Sequence, residues 1–382
     1  MSKRKFLHSR YSPLFLALAA IFSSGPAVCR AQGIVVNEDV IYGNIASNEF
    51  NKLSDNTLTN STTQPGGAAI FNNGKIGTIG EAGTSGVFSG NEVTHGSSST
   101  PKAQGGAIYN ASTGKIDAIY VGFENNTSSN SAGAIYNEGE IGQIGHPEPA
   151  VTFLGNAAEN GNGGAINNAS SGTIREIHAV FTGNKAKSGG GAINNSGEIT
   201  VISGSFEENE IISESGLGGA ISNTGKIGTI NSNFIKNGVD IGGTGASYMK
   251  TGRGGAIHNE SMGSIVSING SFVENEASSS GGAIQNNGFI GTITGEFSNN
   301  KVTNGSNSAV SDGGALTNLG EITSIVNTTF TSNISGKYGG AIDSSGTIGE
   351  ISGNVFANNA TGWEGGAIAN ERGAISKVSG NV

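Results

Sequence analysis

Isoleucine and phenylalanine return at fixed places along this chain, set among Gly, Ser, Asn and Thr. Ile119 and Phe123, Ile177 and Phe181, Ile202 and Phe206, Ile230 and Phe234, Ile268 and Phe272, and Ile293 and Phe297 each stand four residues apart. In a strand that step puts both on one face, with a small residue between them. The step is five at Ile325/Phe330 and Ile351/Phe356. A second isoleucine precedes the first by three residues (Ile116, Ile199, Ile227, Ile290, Ile348). Three residues apart in a straight strand point opposite ways, so a corner is expected between them. Small residues such as Gly228, Gly291 and Gly349 fill that gap.

The third component is Gly-Gly-Ala-Ile-x-Asn, as in Gly281 to Asn286. Gly-Gly-Ala-Ile begins at Gly105, Gly163, Gly190, Gly218, Gly254, Gly281, Gly339 and Gly365, and Gly-Gly-Ala-Leu at Gly313. Looser copies run from Gly66 to Ile70 and from Ala132 to Ile135. The motif Ile or Leu recurs at intervals as short as 26 residues, at Leu316, Ile342 and Ile368, with occasional insertions. Such a period marks a solenoid. Ile, Val, Thr, Phe and Gly are poor helix formers, so the solenoid is β. Leucine-rich repeats, the rival of similar period, need several leucines per unit and have no Gly-Gly-Ala.

The expected fold is therefore all-β: a parallel β-helix solenoid of about eleven coils, with three short strands per coil. Right-handed crossovers are strongly preferred. Coils at about 4.8 Å spacing give a rod of roughly 50 Å. Ile and Asn of the motif should point inward, and Gln285 and His258 outward to solvent. Asn110, Asn137, Asn223, Asn259, Asn286, Asn318 and Asn370 would form a hydrogen-bonded ladder at a corner, broken once by Ser344.

Composition agrees. Glycine, at 65 of 382 residues, follows no three-residue period, which excludes collagen. Regular apolar residues argue against disorder. Residues 1–31 read as a secretory signal peptide: Lys3, Arg4, Lys5 and Arg10, an apolar run from Leu14 to Phe22, and cleavage after Ala31. Cleavage removes Cys29, the only cysteine, and leaves 15 basic against 29 acidic groups. Disulfides and cysteine-bound metals are then excluded, and nucleic acid is not an expected partner. Residues 32–65 are expected to form an N-terminal cap and residues 66–382 the repeats. The chain stops at Val382, one residue before the next phenylalanine is due, so the last coil is expected to be incomplete.

Chemistry is sparse. His95, His146, His178 and His258 lie in no metal-binding spacing, and no cofactor or metal is expected. Glu207, Glu208 and Glu210, and Glu138, Glu140 and Glu148, read as solvated. Stacking could still bring distant carboxylates together as a glycosidase pair. Three long insertions, Thr94 to Gln104, Gly238 to Arg253 and Lys301 to Asp312, leave from the same corner, often the binding side of a repeat protein. The second carries Tyr248, Lys250 and Arg253, the candidate partner-binding residues.

Alternating Gly-Gly-Ala-[Ile/Leu] and Phe-x-x-Asn (Phe88/Asn91 through Phe356/Asn359) resembles the passenger domains of chlamydial polymorphic membrane proteins and related autotransporters. The likeness covers about residues 66–382. It implies a surface-exposed right-handed β-helix, often an adhesin, exported through a C-terminal outer-membrane barrel that this chain does not contain. The expected function is a non-catalytic passenger, at the cell surface or secreted, that attaches to a host or neighbouring cell-surface protein or glycan, or to matrix. The alternatives are a carbohydrate-active β-helix, acting as a lyase or hydrolase, and a purely structural stalk.

Overall fold

In the computed structural model the Ile-x-Asn of each motif forms a three-residue strand, among them Ile108–Asn110, Ile166–Asn168, Ile257–Asn259 and Ile284–Asn286. Twelve such strands, counting the equivalent segments at either end, make the first sheet. Pairing is parallel, Ile on Ile and Asn on Asn, as in Ile257↔Ile284 and Asn259↔Asn286. The structure describes residues 33–36, 41–42, 45, 53–59, 65–83, 86–95, 103–148, 150–239, 251–303 and 312–382. The signal-peptide segment lies outside them. Among the described residues there is no helix, and all strand pairs are parallel.

The second sheet shows where straight-strand reasoning fails. Both isoleucines and the phenylalanine share one ten-residue strand in the middle coils: Thr173–Thr182, Glu198–Glu207, Lys226–Ile235, Ser264–Val273 and Phe289–Ser298. The expected corner between the isoleucines is thus a bend inside a continuous strand. Thr200 drops out of the register between Ile199↔Ile227 and Val201↔Thr229. Its carbonyl tips toward the next coil, only 2.4 Å from where a Cβ on Gly228 would sit. One skipped pairing lets Ile199 and Ile202 both be fully buried, although they are three apart.

The true corner comes after the phenylalanine. The second residue past it adopts left-handed backbone in every coil: glycine at Gly90, Gly155 and Gly183, but Asn125, Glu208, Lys236, Glu274, Asn299, Ser332 and Asn358 elsewhere. The Asn that follows turns inward, and a two-residue strand opens the third sheet, as in Lys185–Ala186 and Glu210–Ile211. That sheet has eleven strands. Three walls per coil are as expected, but the third lies beyond the Phe-x-x-Asn. The coil count departs slightly from eleven, with twelve levels in the first sheet.

Three kinds of column run through the core. The motif Asn column extends from Asn72 to Asn318, each Nδ2 donating to the next Oδ1 at 2.7–2.8 Å. It passes to Ser344 Oγ at a longer 3.2 Å, the expected break. A second column, from the Phe-x-x-Asn residues, runs from Asn56 to Asn359. In it each Asn donates both its backbone N–H and its Nδ2 to the next Oδ1, as Asn237 does to Asn275 at 3.0 Å. The remaining amide proton of Asn237 goes to Phe206 O at 2.8 Å. Phenylalanines stack from Phe123 to Phe356 with centroids 4.5–5.1 Å apart and nearly parallel planes. Each stack adds about 0.5–1.5 kcal/mol beyond burial.

The five-residue spacing near the C-terminal coils has its own cause. The extra residue introduces a left-handed turn at Asn327, Gly353 and Gly380. Thr328, Asn354 and Asn381 then form a short additional column, with Asn354 N–H on Asn381 Oδ1 at 2.9 Å. Glycines of the Gly-Gly pair are required twice over. Gly281 has φ of +61°, and a Cβ on Gly282 would meet Gly314 O at 2.1 Å. Within residues 32–65, Ile34–Val36, Ile41–Tyr42 and Thr57–Thr59 each add one strand to a different sheet.

Candidate binding surface

With Ile, Phe and Asn consumed by the core, chemistry is left to the corners and outer faces. The ends of all three long insertions sit at the corner between the third and first sheets. There Gln104 bridges Ser131, Arg253 bridges Leu217 and Ser280, and Asp312 bridges Ser280 and Tyr338. Tyr248 and Lys250 fall outside the described residues. Arg253 is half-buried and held by its backbone, accepting from Gly218 N–H at 2.9 Å and donating to Gly216 O at 3.1 Å.

Its charge acts on His258 and Glu260, working to lower the pKa of each. His258 was expected to be an ordinary exposed residue and Gln285 to point into solvent. Both point outward, yet each is only 1% exposed. The strand is three residues long, and the flanking corners close over its central position. Buried central residues form a column of their own: Tyr109 stacks on Tyr136 at 5.2 Å, and Asn194 donates to Asn167 at 2.7 Å.

Burial, reinforced by Arg253, drives the His258 pKa down to about 3, so the ring is neutral at physiological pH. Its Nε2 lies 3.4 Å from Asn287 Nδ2, while Nδ1 has no hydrogen-bond partner and lies 3.9 Å from Glu260 Oε1. Three coils further on, Asp343 is 4% exposed and its Oδ1 is also unpartnered. Burial, then the charges of Asp312 and Glu371, push its carboxyl up to about 7.

Several other carboxylates pair across coils. Glu140 bridges Lys115 and Arg175 at 3.2 and 2.7 Å, Glu210 meets Lys185, Glu276 meets Lys301, and Glu350 meets Lys377. Such exposed pairs contribute about 0–1 kcal/mol each and serve mainly to favour one register. Glu138 accepts the Tyr109 hydroxyl at 2.8 Å. Glu208 occupies a left-handed turn, as its solvated reading implied. Among the described residues no group of His, Cys, Asp and Glu is arranged to hold a metal ion.

One surface feature was not anticipated. In two of the N-terminal coils the bend of the second sheet carries extra chain, between Ile79 and Phe88 and between Ile144 and Phe153. The coil between them has only Tyr120, Val121 and Gly122 there. A notch of about 290 Å³ results, with Tyr120 on its floor and Val87, His146, Val151 and Thr152 on its walls. The signal was present: Ile-to-Phe steps of nine alternate with a step of four.

Three segments, residues 123–138, 178–196 and 327–345, match the model of the Chlamydia polymorphic membrane protein repeat. Each spans the same piece of a coil, from near the phenylalanine, through the third sheet and the corner, to the first sheet. No curated protein matches the chain. No solved structure matches it either. The chain therefore carries, on its parallel β-solenoid, three segments similar to the repeat of Chlamydia polymorphic membrane proteins.

Proposed function

We propose that this chain is the passenger of a surface-exposed or secreted autotransporter-type protein and acts as an adhesin without catalysis. Its partner on this reading is a host or neighbouring cell-surface protein or glycan. The observation that carries the proposal is the division of labour within each coil. Every repeated residue is spent on the core, while the long insertions all open at one corner, between the third and first sheets. A rod whose longest insertions share one edge is built to present that edge. The similarity of three segments to the Chlamydia polymorphic membrane protein repeat supports surface placement. Asp343, whose carboxyl feels the charges of Asp312 and Glu371, offers the carbohydrate-active reading little, because it is only 4% exposed. The test is attachment of beads coated with the purified chain to cultured cells and matrix proteins, alongside an assay for reducing or unsaturated sugar ends. Saturable attachment without sugar release is expected. Sugar release, or attachment no better than that of uncoated beads, would overturn the proposal.

A further inference from the structure

At the same corner, in the two coils nearest the C-terminus, Lys337, Tyr338 and Trp363 make an aromatic assembly that no core or corner requirement explains. Trp363 is the only tryptophan in the chain and is 69% exposed. Tyr338 stands almost perpendicular to it, with centroids 6.0 Å apart and planes at 81°. Lys337 Nζ sits over both rings, 4.6 Å from the tyrosine centroid and 4.8 Å from the indole. Each cation–π contact at such an exposed site is worth about 0.5–1 kcal/mol. The Tyr338 hydroxyl is hydrogen-bonded to Glu371, which raises its pKa above the ordinary value.

The backbone beneath is fixed. Lys337 O accepts three hydrogen bonds, from Thr361 Oγ1 at 2.6 Å, Trp363 N–H at 3.2 Å and Glu364 N–H at 3.1 Å. Ser335 Oγ donates to Tyr338 O at 2.8 Å. The rings are therefore held in place before any ligand arrives, which lowers the entropy cost of binding. An exposed tryptophan on its own is unremarkable on a protein surface. An indole set in an L with a tyrosine, with an ammonium over both rings and the Glu371 carboxylate on the tyrosine hydroxyl, is a different object.

We propose that Trp363, Tyr338 and Lys337 form a glycan-binding platform that takes an uncharged hexose or N-acetylhexosamine ring. The pyranose has an apolar face of axial C–H groups, which packs on the open indole, and a rim of hydroxyls. Lys337 donates to that rim, and the Glu364 and Glu371 carboxylates accept from it. The two carboxylates disfavour sialylated or sulfated sugars, whose charge they would repel. A protein partner would need an apolar surround to exclude water around the anchor. Here the flanking positions Gly362 and Glu364 are exposed and carry no apolar side chain. This deepens the adhesin reading by naming the ligand class, and it can fail separately from that reading.

Because Trp363 is the sole tryptophan, the emission of the full chain reports on the site directly. Titration with neutral hexoses and N-acetylhexosamine oligomers should shift the emission and protect it from acrylamide, at millimolar to micromolar concentrations. On a glycan array Trp363→Ala should lose at least tenfold in binding, Trp363→Tyr should retain part of it, and both should melt with the wild type. The proposal is overturned if no neutral sugar alters quenching, if only sialylated or sulfated glycans bind, or if Trp363→Ala binds like the wild type. Cell attachment that survives enzymatic removal of surface glycans points to a protein partner. That result sinks the platform and leaves the adhesin reading standing. Sugar binding without any cell attachment supports the platform and sinks the adhesin reading.

Discussion

The side-chain amide of Asn286 donates to Oδ1 of Asn318 at 2.8 Å, across thirty-two residues of chain. The same amide group also reaches Gly288 O and Glu321 O, at 3.2 Å each, so one buried side chain ties two neighbouring coils together. Asn286→Ala removes these bonds and leaves a small void. It should cost about 2–4 kcal/mol. Asn286→Asp should cost at least as much, because a carboxylate cannot donate to Asn318. Conversely, Ser344→Asn restores the column and should stabilise by about 0.5–1.5 kcal/mol. Long repeat arrays lose two-state behaviour, so amide hydrogen exchange in the affected coils is the appropriate measurement.

The phenylalanine column predicts a steeper response. Phe234 stacks at 4.8 Å on Phe206 and 4.7 Å on Phe272, and is fully buried. Phe234→Ala should cost about 3–5 kcal/mol. Phe234→Leu should recover more than half of that, read as exchange protection in the strands Glu198–Glu207 and Ser264–Val273.

Some coils hold a charged residue where others use glycine. Lys236 has φ of 54° and Glu274 φ of 55°, at the position that Gly90, Gly155 and Gly183 fill elsewhere. Left-handed backbone costs a side-chain-bearing residue about 1–2 kcal/mol, and part of that is returned by the greater unfolded-state freedom of glycine. Lys236→Gly and Glu274→Gly should therefore each stabilise by about 0.5–1 kcal/mol, in thermal melts compared at one scan rate.

Two buried titratable groups on the outer side of the first sheet give the stability a pH dependence on each flank. His258 has a folded-state pKa of about 3 against an ordinary 6.5, so the unfolded chain takes up the proton first. Its contribution is complete above pH 6.5 and is lost as pH falls toward 3, by about 2 kcal/mol at pH 5. Asp343 is raised from 3.8 to about 7, so the unfolded chain releases its proton first. Stability then falls as pH rises from 4 to 7 and levels off above. His258→Gln should flatten the acid limb, and Asp343→Asn should raise the melting temperature most at pH 7 and above. Equal pH profiles for wild type and both variants would contradict these assignments.

Much of the scaffold was legible because the repeat forces one environment on each residue type. Ile202 and Phe206 could be placed on one inner face from spacing alone, and Asn286 followed from standing two residues past Ile284. The second Asn column was not read. Asn237 stands between Lys236 and Gly238 and looks like part of a solvated turn until the left-handed Lys236 swings it inward. Thr200 escaped because a bend that costs one pairing leaves no mark in composition. His258 and Gln285 were misjudged because alternation gives the direction of a side chain but not what closes over it. Arg253 was singled out for its charge, and the structure seats its backbone at the insertion corner between Leu217 and Ser280. The Lys337–Tyr338–Trp363 assembly went unread because its members come from neighbouring coils, twenty-five residues apart, and meet only when the coils stack.

The central claim is that binding belongs to the corner between the third and first sheets, and that the repeat itself supplies the scaffold. The most direct measurement is cell attachment by two sets of full-chain variants with matched melting behaviour. One set alters the corner, by deleting residues 241–250 or by Trp363→Ala. The other alters exposed positions on the second sheet, such as Val266→Ser and Lys226→Ser. The account predicts at least a tenfold loss of attachment for the corner set and none for the sheet set. Full attachment by the corner variants, or loss confined to the sheet variants, would contradict it.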